Sequence, residues 1–354
     1  MAERIAINPM AERIAISAMA GRIAVTGASG VVGGATARSL LARGDAVVGV
    51  QRGPVPKSLQ RAGATGHPAD ITGPLGELQR AFVGCDAVVH AAARVDITGP
   101  WEDFERVNVQ GTRNVLQAAR LAGVRTFVMV SSPSVAHAGH PLVGAGAGRA
   151  DPDRARSHYA RSKAMAELLA LEADGPDFAV AVVRPHLVWG AGDTQLTARI
   201  IDRARAGRLV VIGSGAALID TTYVDNAGDA IAAAVQRAHL DGVHGHPLVV
   251  SNGEPRTVTE MLTRIAAAAD APGPRAAVPY VVARAGGHVL ERVWERTGRE
   301  GDPPVTAFLA EQLATAHWFD QRETRKALDW TPRVSIDEGF VQLAEWLGGV
   351  APTP

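Results

Sequence analysis

One cysteine, Cys85, stands in 354 residues. That excludes an internal disulfide and any cysteine-rich metal site, and the apolar neighbours of Cys85 suit an inert core thiol. No apolar run reaches 18 residues, so nothing reads as a membrane-crossing helix. Neither sign of charge is in excess, with 36 Lys and Arg against 36 Asp and Glu. There is therefore no electrostatic footprint for nucleic acid or an anionic membrane as principal partner. Arg and Glu interrupt every early apolar stretch, so no signal peptide is read and the expected location is the cytoplasm. Two further scarcities carry more information. Only Lys57, Lys163 and Lys326 among the basic residues are lysines, and only Tyr159, Tyr223 and Tyr280 are tyrosines.

What is abundant is apolar residues, 47%, and glycine, 38 residues, enough for a soluble globular chain with a sizeable core. The stretch Arg22 to Gly34 (RIAVTGASGVVGG) organises the rest. A short apolar run at Ile23–Val25 leads into glycines 27, 30 and 33, and a helical pattern starts at Ala35. Strand, glycine turn and helix is the order that binds a dinucleotide. Gly27 serves a tight turn, Gly30 allows backbone to approach a pyrophosphate, and Gly33 lets helix pack on strand. The helix N-terminus, with Ser29, Val31 and Val32 around it, offers free N–H groups to phosphate. Ahead of it the chain repeats itself, with MAERIAI at 1–7 and 10–16 and MAGRIAV at 19–25. Only the third copy joins the glycine turn, so residues 1–18 read as a dispensable extension.

Further strands are expected at 46–50, 65–69, 87–89, 126–130 and 179–183, with one helix over 101–120 and another holding Tyr159 and Lys163. Alternating strands and helices predict an α/β fold, a Rossmann-type doubly wound parallel sheet with a smaller C-terminal lobe. The first lobe is expected over 19–190, with a segment at about 213–240 returning to it. Residues 191–354 then mainly form the substrate-binding lobe. Ligands of such sheets lie beyond the carboxyl ends of the strands, where Arg52, Asp70, Ala91 to Ala93 and Ser131 to Ser134 fall. Residues 137–156 have no clear period and read as a lid or a plain loop excursion.

Tyr159 and Lys163 stand four apart on a helix, so they share a face. With three of each residue in the chain, such a pair is expected by chance roughly 0.03 times. A tyrosine hydroxyl exchanges a proton near neutral pH only where positive charge stabilises its phenolate, and Lys163 supplies that charge while holding a cofactor ribose. Ser132 is placed to hydrogen-bond a substrate oxygen as charge develops on it, and equally to cap a turn. Where an NAD enzyme normally has an acidic residue at the end of the second strand, Gln51 and Arg52 stand here. A guanidinium suits a 2′-phosphate, and the expected cofactor is NADP(H).

Together Thr26-Gly27-x-x-Gly30-x-x-Gly33, Asp70, His90-Ala91-Ala92-Ala93, Asn108, Ser132, Tyr159-x-x-x-Lys163 and Arg184-Pro185 resemble the extended short-chain dehydrogenase/reductases, 3β-hydroxysteroid dehydrogenase-like branch. The resemblance covers residues 19–350. It implies hydride transfer at a nicotinamide, with Ser132, Tyr159, Lys163 and Asn108 catalytic. It also implies that Asp70 and Ile71 hold the adenine, that Ala92 lies along the cofactor, and that Pro185, Leu187 and Val188 border the nicotinamide. Stretches 131–137, 184–193, 220–227, 251–255 and 308–318 narrow it to reduction of a bulky apolar β-keto acid of the 2-alkyl-3-oxoalkanoate type, and the resembled family, in which dimers are common, implies a homodimer. Ser134, His186, Leu196, Thr222 and Tyr223 are the expected substrate contacts. His158 departs from the proline many relatives carry before the tyrosine. A 3β-hydroxysteroid dehydrogenase, a sugar-nucleotide epimerase or dehydratase, and a non-catalytic NADP-binding redox sensor are the rival readings.

Overall fold

A computed structural model describes residues 21–96, 98–137, 139–297 and 303–349, so the repeated segment 1–18 lies outside the described residues. The first strands are β1 (Arg22–Thr26), β2 (Ala46–Gln51), β3 (Thr65–Pro68), β4 (Ala87–His90), β5 (Thr126–Val130), β6 (Leu142–Ala145) and β7 (Ala179–Pro185). Seven strands make one sheet in the order Pro247–Val250, β7, β5, β4, β1, β2, β3. Every pairing in it is parallel. β4, β5 and β7 are buried along their whole length, which their Val-rich sequences suit, because helices cover both faces.

The two-residue period of a strand sorts β1 between those faces. Ile23 and Val25 enter a core with helix Val224–Arg237, and Ala24 enters one with helices Leu75–Phe82 and Gly111–Leu121. Helix Val31–Ala42 packs on helix Val224–Arg237, with backbone close to backbone at Gly228 and the pairs Arg38–Asp225 and Ser39–Asp229 beside it. A Cβ on Gly228 would stand 2.6 Å from the Ala35 carbonyl carbon. The chain's return to the sheet runs past residue 240, for Pro247–Val250 is its edge strand. Among the described residues no helix is long and apolar enough to cross a membrane.

Two expectations need correction. The helix expected over 101–120 is three pieces: helix Trp101–Phe104, a π-helical stretch Glu105–Gln110, and helix Gly111–Leu121. Here the Thr112 hydroxyl donates to the Asn108 carbonyl (2.6 Å), a side-chain bond inserted into the helical ladder. The segment 137–156 is not a free excursion. Its residues 142–145 form β6, which pairs in parallel with His317–Phe319, and Arg156 bridges to Glu311 at 3.0 Å. A four-residue strand with a distant partner leaves no periodic trace in the sequence.

Candidate active site

Beyond the carboxyl ends of β1, β2, β4, β5 and β7 lies a cavity of about 970 Å³. Its first half is made by backbone. Gly27 has φ +70°, and a Cβ there would come within 2.9 Å of the Ala92 backbone, so the glycine turn and the turn after β4 touch main chain to main chain. Gly33 is tighter still, since a Cβ would meet the Gly27 oxygen at 2.3 Å. Helix Val31–Ala42 begins at Gly30 with no side-chain cap, leaving its first N–H groups for an anion. Gly27, Ser29, Gly30, Val31, Val32, Gly33, Arg52, Asp70, Ile71 and Ala91 to Ala93 all line this half.

The residues here fit a dinucleotide. Gln51, at the end of β2, is 9% exposed, and neither its Oε1 nor its Nε2 has a hydrogen-bond partner. An orphaned buried amide costs about 1–3 kcal/mol, which hydroxyls of a bound ribose would relieve. Asp70 accepts both the Thr72 N–H and the Thr72 hydroxyl at 2.8 Å through Oδ1. Those bonds, the backbone one foremost, hold its carboxyl below the usual range, and Arg52 adds to the effect.

At the middle of the cavity three groups meet. Helix His158–Glu172 is capped by Ser157, whose hydroxyl accepts the Ala160 N–H at 3.1 Å, and it carries Tyr159 and Lys163 on one face. Ser132, beyond β5, lines the same cavity as Tyr159 and lies near enough to its hydroxyl to favour the phenolate, while its Oγ is 3.0 Å from Ser134 Oγ. It also caps the turn Pro133–Ala136, accepting the Ser134 N–H at 3.3 Å. Lys163 Nζ donates to the Val130 carbonyl at 2.6 Å. Burial pushes Lys163 down to about 8, with Glu167 pulling the other way. Burial likewise pushes the Tyr159 hydroxyl up, and Ser132 opposes it.

One helical turn beyond Lys163, the Glu167 carboxylate accepts from Ser131 Oγ at 2.6 Å and from Arg184 Nε at 2.9 Å. Glu167 and Arg184 are both fully buried, and Arg184 also donates to the Ala147 and Gly148 carbonyls. A buried carboxylate paired and hydrogen-bonded on several sides is the arrangement in which ionised groups persist inside a protein.

Asn108 is not in the cavity wall. Its Oδ1 accepts the Arg94 N–H at 2.7 Å, and its Nδ2 donates to the Arg94 carbonyl and to Ser162 Oγ. Ser162 passes its own proton to the Tyr159 carbonyl at 2.9 Å. Asn108, expected among the catalytic residues, thus clamps the turn after β4 to the Tyr159 helix. His158, the departure from proline, bonds the Gly99 carbonyl at 3.1 Å and packs edge-on to Trp101.

At the far end Pro185, Leu187, Val188, Ser134 and His186 line the cavity. Leu187 holds φ 41°, an uncommon backbone for a branched residue and a local strain in the wall. His186 is 6% exposed with Nε2 unpartnered, and burial with the neighbouring His317 and His137 pushes it down to about 3.

Leu196, Thr222 and Tyr223, expected to touch substrate, are not among the lining residues. Thr222 Oγ1 bonds the His186 and Val250 carbonyls, Tyr223 packs edge-on to Trp189, and Leu196 packs against the core of the C-terminal lobe. Their place is taken by Thr194, Gln195, Phe308 and Gln312. Phe308 and Gln312 stand four apart on helix Ala307–Ala314, a spacing that puts both on one face and was readable in advance. Arg94 also lines the cavity, but Asp96 and Asp103 pair with it at 3.0 and 3.1 Å.

A parallel sheet with a glycine turn at β1 and a Ser-Tyr-Lys group at its carboxyl edge defines an extended short-chain dehydrogenase/reductase. Residues 23–250, more than half of the chain, match the NAD dependent epimerase/dehydratase family, and the chain belongs to it. It is 38% identical over 314 residues to the 2-alkyl-3-oxoalkanoate reductase of Stenotrophomonas maltophilia, covering 88% of this chain and 94% of that one. The enzyme of the same name from Shewanella oneidensis is 33% identical, with 88% and 82% covered. Among solved structures, the crystal structure of gox2253 superposes with a TM-score of 0.74 at 22% identity, covering 94% of this chain and 98% of that one. The chain is accordingly an oxidoreductase.

Proposed function

We propose that this protein is an NADP(H)-dependent ketoreductase that reduces a bulky apolar β-keto acid of the 2-alkyl-3-oxoalkanoate type to its 3-hydroxy acid. The observation that carries the reading is the gathering of Ser132, Tyr159 and Lys163 in the same cavity as the glycine turn, with Tyr159 and Lys163 one helical turn apart. The relatives at 38% and 33% identity supply the substrate class. The first lobe, about 19–190 with the returning segment 213–240, holds the cofactor in this reading, and residues after 191 select the substrate.

When bound, the reduced nicotinamide supplies the hydride. Tyr159 gives its hydroxyl proton to the carbonyl oxygen of the substrate, and Ser132 hydrogen-bonds that oxygen as it gains charge. Lys163 contributes positive charge that favours the tyrosine's anion and donates to the ribose. Gln51 and Arg52 face the adenosine end, the guanidinium matching a 2′-phosphate. A carbon chain lies against Leu187, Val188 and Phe308.

The test is NADPH oxidation with 2-alkyl-3-oxoalkanoates beside a 3-ketosteroid and a UDP-sugar. Turnover of the keto acids alone supports the reading. Steroid turnover with inert keto acids would give the function to a hydroxysteroid dehydrogenase, and NADPH binding without turnover of any substrate to a redox sensor.

A further inference from the structure

His90 closes β4, is 2% exposed and does not line the cavity. Its Nδ1 lies 2.8 Å from Thr26 Oγ1 and its Nε2 lies 3.0 Å from Thr112 Oγ1. Each threonine has one hydroxyl proton to give, and that fixes every direction. Thr112 gives its proton to the Asn108 carbonyl at 2.6 Å, so its oxygen accepts from His90 Nε2–H. His90 Nδ1 is therefore bare and accepts the Thr26 hydroxyl. The Thr26 oxygen then accepts the Ala92 N–H at 3.2 Å.

The circuit closes on itself. It leaves the turn after β4 at Ala92 and runs through Thr26, His90 and Thr112 to the Asn108 backbone. The Asn108 side chain then returns to the same turn at Arg94 N–H and carbonyl, with a branch through Ser162 to the Tyr159 carbonyl. The turn so held is the one whose Ala92 backbone a Cβ on Gly27 would strike.

We propose that His90 is a positioning residue: as a neutral imidazole it sets the direction of this circuit, which locks the Ala91–Arg94 turn against the glycine turn and the Tyr159 helix and so fixes the bed of the cofactor's nicotinamide half. A protonated ring would carry a donor on Nδ1 and reverse the Thr26 bond. Complete burial, with Lys163 nearby, pushes His90 down to about 3 and keeps the ring neutral. The proposal rests on the ketoreductase reading for its consequence, while the circuit exists in the ligand-free chain.

Two substitutions test it. His90→Phe removes both ring nitrogens, leaving the Thr26 hydroxyl proton without an acceptor and the Thr112 oxygen without its donor. His90→Gln keeps one acceptor and one donor at a similar separation. In the ligand-free protein His90→Phe should speed exchange of the Ala92 amide proton by at least about tenfold. It should also weaken NADPH, titrated by fluorescence, on the order of 10- to 100-fold. His90→Gln should restore most of both. Thr112→Val breaks the circuit at its far end and should speed Ala92 exchange too, which decides the matter if His90→Phe does not fold. Ala92 exchange at the wild-type rate in folded His90→Phe or Thr112→Val, or a His90→Gln as impaired as the phenylalanine variant, would overturn the proposal. A wild-type protein that ignores NADPH would instead sink the ketoreductase reading, with Ala92 exchange still deciding for or against the circuit.

Discussion

The two ends of the cavity are built by opposite means. At the cofactor end backbone lies on backbone: Gly27 against Ala92, and Gly33 against the Gly27 carbonyl. At the end proposed for the substrate, side chains converge from three regions far apart in the chain, Ser134, the segment 186–195 with His186 to Val188, Thr194 and Gln195, and Phe308 with Gln312. Backbone contacts leave no room for a larger residue and cannot be tuned by exchange. A wall of side chains carried on loops and one helix can be recut residue by residue without moving the sheet. The first end should fail all at once, and the second should change by degrees.

Tyr159 stands where the ends meet, and its loss gives the largest expected effect. Tyr159→Phe should lower kcat by about 10³-fold, the range for a positioned proton donor, while NADPH binding stays within a few-fold. Stopped-flow hydride transfer and fluorescence titration separate the two quantities. A phenylalanine variant that turns over normally would place the proton elsewhere and remove the junction on which the comparison depends.

Gly33→Val comes next. Its Cβ would fall 2.3 Å from the Gly27 carbonyl oxygen, and no rotamer relieves a clash between main chain and Cβ. NADPH affinity should drop by about 100-fold or more, and the melting temperature should fall too, each degree reporting backbone shift. A variant with wild-type affinity would show that this end yields more than its packing suggests.

Arg52→Ala probes the same end through a side chain and should be milder. The NADPH Michaelis constant should rise on the order of tenfold, one charge-assisted contact, with little change for NADH. Equal effects on both cofactors would remove Arg52 from the 2′-phosphate and reopen cofactor choice.

The contrast also explains what was legible in the sequence. Glycines at 27, 30 and 33 announce themselves because few other residues tolerate those contacts, and a tyrosine four residues before a lysine is rare in a chain with three of each. The buried strands show as apolar runs for the same local reason. Gln51 was visible as a missing acid, but its two unpartnered atoms belong only to the folded chain. His90 reads as one letter in an apolar run, and its role depends on Thr26 and Thr112, 64 and 22 residues away. Thr222 and Tyr223 were expected to touch substrate because the stretch 220–227 resembles that of the family. The structure turns them inward, to carry His186 and to fill the core beside Trp189. Period alone cannot tell a polar side chain that faces a ligand from one that satisfies a neighbouring carbonyl.

The smallest effect belongs to Phe308, and it is the sharpest test of the substrate end. Phe308 is half-buried, lines the cavity, and sits on a helix with no part in the central sheet. If an alkyl chain packs there, each added methylene brings about 0.8 kcal/mol, so kcat/KM should climb about fourfold per carbon until the cavity fills. Phe308→Ala removes a wall and leaves the sheet untouched. Its kcat/KM for short chains should fall only a few-fold through lost contact, and the plateau should move to longer chains into the space released. NADPH affinity and the Tyr159-dependent hydride step should be unchanged, because no backbone contact of the glycine turn involves this helix. A series of 2-alkyl-3-oxoalkanoates measured on both proteins reads the plateau directly. If the plateau stays in place while NADPH affinity falls, Phe308 supports the cofactor, and the division of the cavity into a rigid end and a tunable end is drawn in the wrong place.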